Sequence, residues 1–297
     1  MAITLGANQY GKAETRLVTV RRTDTGGHEL TDLNVSIALR GDLAASHLTG
    51  DNAHVVTTDT QKNTVFAFAK QQPVGQIEDF ALRLGRHFVD SFEHITGARV
   101  LISQYEWERI AVDGQPHPHS FRRAGPEQRT TAVTVAGDQT WVLSGLTDLT
   151  VLKSAGSEFH GYPKDPYTTL PETTDRILAT AVTARWRHQR LDVDWAASFA
   201  TARAGLLSTF ASTHSLALQQ TLYAMGEAVL TEQPEIAEIR LSLPNKHHFE
   251  VDLTPFGLAN DNEVFFAADR PYGQIEGTVL RDDAVDAGLA WYSMAEF

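Results

Sequence analysis

Apolar and polar positions alternate through residues 16–22 and, more regularly, where Leu33, Val35, Ile37 and Leu39 interleave with Asn34, Ser36, Ala38 and Arg40. A period of two is that of a half-buried strand, and Thr25-Gly26-Gly27-His28 between the two runs predicts a β-hairpin. The period then lengthens. A helix is expected to start near Thr58-Asp59, and a second near Pro73, where Ile77, Phe80, Ala81, Leu84, Phe88 and Phe92 recur at helical spacing. Strand-like stretches return at 99–106 and 129–135, and Gly137-Asp138 supplies a turn.

The same order then recurs. Strands are expected at 140–144 and 180–186, followed by a helix with the stripe Trp195, Phe199, Ala202, Leu206 and Phe210. Ser215 opens a further helix carrying Leu218, Leu222, Met225 and Val229, and strands at 239–243 and around 264–266 complete the unit. Strand, strand, helix, helix, strand, strand in each half predicts an α+β chain of two tandem units, 1–137 and 138–297. Each is an antiparallel sheet with helices on one face. The halves share little residue identity, so the repeat rests on pattern. Residues 151–176 interrupt the second half with a loop rich in Gly, Pro, Thr and Tyr, the kind of segment that often carries function.

With 297 residues, 42% of them hydrophobic and 21% charged, the chain has the make-up of a folded globular protein large enough for two cores. Its formal charge of −12 opposes binding to a phosphate backbone, so nucleic acid is not an expected partner. An anionic small molecule would then need a local cation working against the global field. The absence of cysteine excludes disulfides, thiolate catalysis and Cys-based metal sites. No basic-then-apolar leader, no 18-residue apolar run and no peroxisomal C-terminal tripeptide is present; a cytoplasmic location without membrane contact is the resulting expectation.

Common catalytic signatures are missing: there is no G-x-S-x-G, GxGxxG, P-loop or H-E-x-x-H. His117-Pro118-His119 has a spacing that suits two imidazoles on one metal, but its prolines and Arg122-Arg123 fit an exposed turn better. At Thr57-Thr58-Asp59 an extended run meets a helix start, which reads either as an N-cap at Thr58 or Asp59 or as a first turn whose free amides face a ligand. After Leu243-Pro244, alternation places Asn245 and His247 on one side, an amide beside an imidazole; an exposed basic loop is the plainer reading. Arg176, just before a strand, is either a surface partner of Glu172 or Asp175 or a clamp that works with Gln219 on the edge of a flat heterocycle. Phe159 is either a loop anchor or a ring that stacks on such a ligand.

Six blocks bear on these alternatives. Tyr10-Gly11-Lys12, Thr58-Asp59-Thr60-Gln61-Lys62-Asn63-Thr64, Gly156-Ser157-Glu158-Phe159, Tyr167-Thr168-Thr169-Leu170 with Asp175-Arg176-Ile177-Leu178, Leu218-Gln219-Gln220-Thr221-Leu222-Tyr223 and Leu243-Pro244-Asn245-Lys246-His247 resemble those of urate oxidases, in the same order and across both halves. The resemblance implies the tunnelling fold, with two tandem units assembling into a barrel and four chains into a homotetramer. It implies urate and O2 as substrates, no cofactor or metal, and 5-hydroxyisourate and H2O2 as products. Arg176 and Gln219 would hold the urate edge, Phe159 would stack on the ring, and the main chain at Leu218 would meet a ring atom. Leu218 replaces the valine usual in that family. Thr58 and Asp59 would reach the substrate from a neighbouring subunit. Lys12, Thr58 and His247 would form the proton relay, while Asn245 and Thr58 hold O2 and later water. Two alternatives are another purine or pterin enzyme of that fold and a non-catalytic purine-binding protein.

Overall fold

In the computed structural model, which describes residues 2–294, the first hairpin is longer than its alternation: β1 (Tyr10–Arg22) pairs antiparallel with β2 (His28–Gly41). The sequence period hides the start of β1 because the register shifts between Lys12 and Thr15, where Glu14 adopts a φ of 55°. Helix α1 (Ala44–Thr49) was not expected; it buries none of its residues and so leaves no apolar stripe to read. Helix α2 (Thr58–Gln71) starts where predicted, but its N-cap is Thr57, whose side chain accepts from the Thr60 amide at 3.0 Å. Helix α3 (Ile77–Ser91) buries Ile77, Phe80, Ala81, Leu84 and Phe88 against β3 (Ile95–Val112) and β4 (Gln115–Ala136).

Strands β3 and β4 extend well past the predicted segments. In their far ends no position is fully buried and residues 110–112 are exposed on both faces, so one-sided alternation weakens there. His117-Pro118-His119 therefore lies within β4, not in a turn; the turn is Asp113-Gly114, both residues having positive φ. The two imidazoles meet edge to face at 4.5 Å, and among the described residues no group of three or more His, Asp or Glu side chains is placed to hold a metal.

Strand β5 (Gln139–Lys153) follows the turn at Gly137 and runs nine residues beyond the predicted end. Then come β6 (Leu178–His188), α4 (Trp195–Ser212), α5 (Leu218–Glu232) and β7 (Ile236–Asn245). Two expectations are corrected here. Helix α5 opens at Leu218 with Ala217 at its cap; Ser215 stands upstream and spends its hydroxyl on the Ala217 carbonyl and on Thr221. The strand near residue 265, β9 (Phe265–Ala267), pairs only with the short β8 (His248–Glu250), while β10 (Gly273–Leu280) is the partner of β7. β10 escapes a hydrophobic reading because Gly277 occupies an inward position, where an added Cβ would come within 2.8 Å of Leu222.

Contacts sort the chain into two units. One takes the residues up to Gly145, with Arg187–Ala196 and the stretch from Val285; the other takes Leu146–Trp186 and Ala197–Ala284. In the first, strand order β1-β2-β3-β4-β5 backs a core that includes Leu33, Ile37, Phe80, Leu84, Phe88 and Val100. In the second, order β5-β6-β7-β10 backs Trp186, Leu206, Met225, Ile239 and Leu243. β1 and β10 are the ends of these orders, so neither unit closes a barrel by itself. The chain is thus α+β and dominated by antiparallel sheet. Among the described residues no helix is long and apolar enough to cross a membrane. Met1 and Ala295-Glu296-Phe297, the latter read above for a sorting signal, lie outside the described residues.

Candidate active site

In the second unit, Phe159, Arg176, Asn245 and His247 line one cleft of about 200 Å³. Strand β7 continues through Pro244 to Asn245, which pairs with Gly273 of β10. A Cβ on Gly273 would lie 3.7 Å from the Asn245 side chain and 3.8 Å from His247 Nε2, ordinary contact distances, so both side chains gather over this residue. His247 stacks on Phe249 at 5.7 Å. Its pKa is pushed below 6.5 by burial first, then by Arg176 and His248, which favours the neutral imidazole. A neutral imidazole can accept a proton.

Arg176 does not take up the surface pairing considered for it. Glu172 serves the Gly161 amide and Lys164, Asp175 accepts from the Gly156 amide, and Arg176 Nε donates to the buried Ser157 hydroxyl at 3.3 Å. Its guanidinium carbon stands 5.0 Å from the centre of the Phe159 ring. Burial lowers its pKa, yet guanidinium remains charged at neutral pH. Among the described residues its two terminal nitrogens have no partner. A half-buried cation with two free donor nitrogens next to an aromatic face is a receptor for a flat anion.

The Phe159 loop is sewn to its surroundings. Phe159 and Thr173 exchange backbone hydrogen bonds at 2.8 and 3.1 Å, the Glu158 amide donates to the Ser215 carbonyl, and Ser215 donates to Gly156. Ser215 lies three residues before Leu218. Leu218 is buried in the second core, while Gln219 is exposed in the first turn of α5 and does not line the cleft. The first backbone bond into this helix is from Thr221 to Ala217, which leaves the amides of Leu218 and Gln219 without an intrahelical acceptor.

Lys12, Thr58 and Asp59 gather in the first unit. Gly11 explains the Tyr10-Gly11-Lys12 motif: a Cβ there would sit 1.8 Å from the Ile37 carbonyl oxygen, so only glycine lets β1 run this close to β2. The Tyr10 hydroxyl donates to the Val56 carbonyl at 3.0 Å and ties the motif to the segment leading into α2. Asp59 is held below the usual carboxylate range by Lys62 first, with Lys12 a smaller contributor, so the Lys12 ammonium lies within electrostatic reach of the first turn. Because Thr57 caps α2, the half-buried Thr58 hydroxyl has no partner among the described residues. The sequence alone assigns no role to Tyr10 or Ser157. Tyr10 shares a strand face with Lys12 by simple alternation, whereas nothing local marks Ser157 as buried.

A larger groove of about 680 Å³ runs along β1 and α2 past Val18, Val20, Phe66 and Lys70, and holds none of these residues. Chemistry, not size, selects the smaller cleft. An aromatic face, a guanidinium whose terminal nitrogens have no partner among the described residues, a strand-borne amide and an imidazole biased towards its neutral form, gathered in loops at a sheet end, suit a flat, anionic small molecule that exchanges protons.

The comparisons make the class specific. The family model for uricase matches residues 8–134 and 142–276. The uricase of Arthrobacter globiformis is 55% identical over 99% of this chain and 96% of its own length, and that of Aspergillus flavus 41% identical over 93% and 96%. The crystal structure of the Arthrobacter globiformis uricase superposes with a TM-score of 0.92 at 56% identity, covering 96% of this chain and 98% of that one. The chain belongs to the uricase family.

Proposed function

We propose that the chain oxidises urate with O2 and water to 5-hydroxyisourate and H2O2. The cleft formed by Phe159, Arg176, Asn245 and His247 is the observation that carries this reading. Arg176 and Gln219 hold the edge of the urate anion, Phe159 covers its face, and the free Leu218 amide meets a ring atom. Family membership supports each of these roles at the matching motif.

The chemistry is proton management. Urate is already electron-rich, and loss of a second proton yields a dianion that can pass electrons to O2; the relay of Lys12, Thr58 and His247 removes and returns protons. A hydroxyl both donates and accepts, so Thr58 suits the middle position. Asn245 and Thr58 hold O2, then the water that adds to the oxidised purine. Two electrons and two protons leave for O2 as H2O2, and water supplies the 5-hydroxyl. No cofactor enters this scheme. We further propose that residues 1–137 and 138–297 are tandem tunnelling-fold units, and that four chains assemble so that Thr58 and Asp59 reach a neighbour's cleft.

Aerobic incubation with urate tests the function. Loss of urate absorbance with matching O2 uptake and H2O2 release, without added cofactor, is the expected result. Binding of urate without turnover would overturn it in favour of a purine-binding protein.

A further inference from the structure

The Phe159 ring can cover a substrate only if its loop is held still, yet residues 156–161 form no regular element beyond two isolated bridges. Glu158 stands next to that ring. Its carboxylate accepts from His160 Nε2 at 2.9 Å and from His214 Nε2 at 2.5 Å, one imidazole on each oxygen. Both bonds hold the carboxylate in its ionised form, the His214 bond being the larger cause. His214 belongs to the short connection between α4 and α5. The residue after it, Ser215, takes part in both backbone bonds to the loop, and Leu218 and Gln219 follow within five positions.

We infer that Glu158 is a positioning residue: through His214 it sets the Phe159 stacking face against the start of α5, which carries the edge contacts. This rests on the proposed roles of Phe159, Leu218 and Gln219. Glu158 touches no reacting atom. It joins two parts of the grip that are 59 residues apart along the chain between Phe159 and Leu218. The backbone bonds at Ser215 fix the loop along its length; the carboxylate adds a side-chain strut that resists rotation about them. Such a strut affects substrate binding more than overall stability, because a partly exposed side-chain hydrogen bond to a carboxylate contributes little to folding.

The experiment compares E158A, E158Q, H214A and the double variant E158A/H214A with the original chain and with F159A. Urate affinity is measured anaerobically, where the oxidant is absent, and KM and kcat are measured in air. A charged hydrogen bond lost from the binding frame predicts about a tenfold rise in Kd and KM for E158A and H214A, with kcat within about twofold and little change in melting temperature. E158Q keeps an acceptor for His214 and should recover to within about threefold. The double variant should bind no worse than either single one, since both remove the same strut. Unchanged urate affinity in E158A, with F159A weakened, overturns the strut and leaves the stacking role intact. Unchanged affinity in F159A removes the stacking role and the strut with it. A fall in kcat and melting temperature without a change in Kd would show a purely structural role and also overturn the proposal.

Discussion

Adjacent threonines at the start of α2 have opposite duties. Thr57 spends its hydroxyl on the helix cap, while the Thr58 hydroxyl, one residue on, has no partner among the described residues. Thr57→Ala is therefore expected to cost about 1 kcal/mol of stability and leave turnover near normal. Thr58→Ala should leave the melting temperature and anaerobic urate affinity almost unchanged, while turnover falls by about a hundredfold as the relay loses its hydroxyl. Near-normal urate loss in Thr58→Ala would remove it from the relay. Position alone could not separate the two: either threonine can cap, and which does so depends on the backbone angle of 145° in ψ that Thr57 adopts. Arg176 gives the same lesson. Its local sequence offers Glu172 and Asp175 as partners, and only the folded loop shows both carboxylates engaged with backbone amides.

At the scale of elements, β1 must approach β2 so closely that residue 11 has no space for a side chain. Gly11→Ala should cost about 3 kcal/mol or more, because the Cβ would meet backbone, and the displaced strand should carry Lys12 out of place. A large drop in melting temperature and in turnover is expected; a variant with both intact would show that β1 relaxes freely. The end of β6 presents a second case. His188 is buried in the first unit against the ring of Trp195, with Nε2 on Ser144 Oγ at 3.0 Å, and Ser144 in turn donates to the buried Glu78, which pairs with Arg129. Burial, aided by Arg129, pushes its pKa from 6.5 down to about 3. The unfolded chain thus takes up a proton that the folded chain refuses, and stability is lost as pH falls from about 6.5 towards 3. This one residue should contribute a slope of about 1.4 kcal/mol per pH unit in that window. His188→Gln should flatten the fall in denaturation midpoint between pH 7 and pH 5; parallel falls in both proteins would refute the assignment. Long strands were less visible than helices. Helix α3 buries a continuous stripe, whereas the far ends of β3 and β4 bury no position fully, and β10 turns two glycines inward.

At the scale of the whole molecule, the residues of the proposed relay are divided between units: Lys12 and Thr58 in the first, His247 with the proposed clamp of Arg176 and Gln219 in the second. If a neighbour supplies Thr58, inactive Thr58→Ala and Arg176→Ala chains should complement one another when mixed under subunit exchange. Random pairing of equal amounts gives intact sites in about a quarter of cases, so about a quarter of normal activity should return. No recovery, with exchange verified by mass, would place both residues in one chain. The sequence by itself determined the α+β class, the helix stripes, the hairpin at its start and, through six ordered motifs, the uricase family. Those features are encoded in residues near one another, by period, turn chemistry and block order. Tertiary structure alone decided that Thr57 caps α2, that the terminal nitrogens of Arg176 find no partner among the described residues, that β10 pairs with β7, and that Glu158 meets His214, 56 residues away. Each of these depends on which groups meet after the chain has folded back on itself, and no local pattern records that.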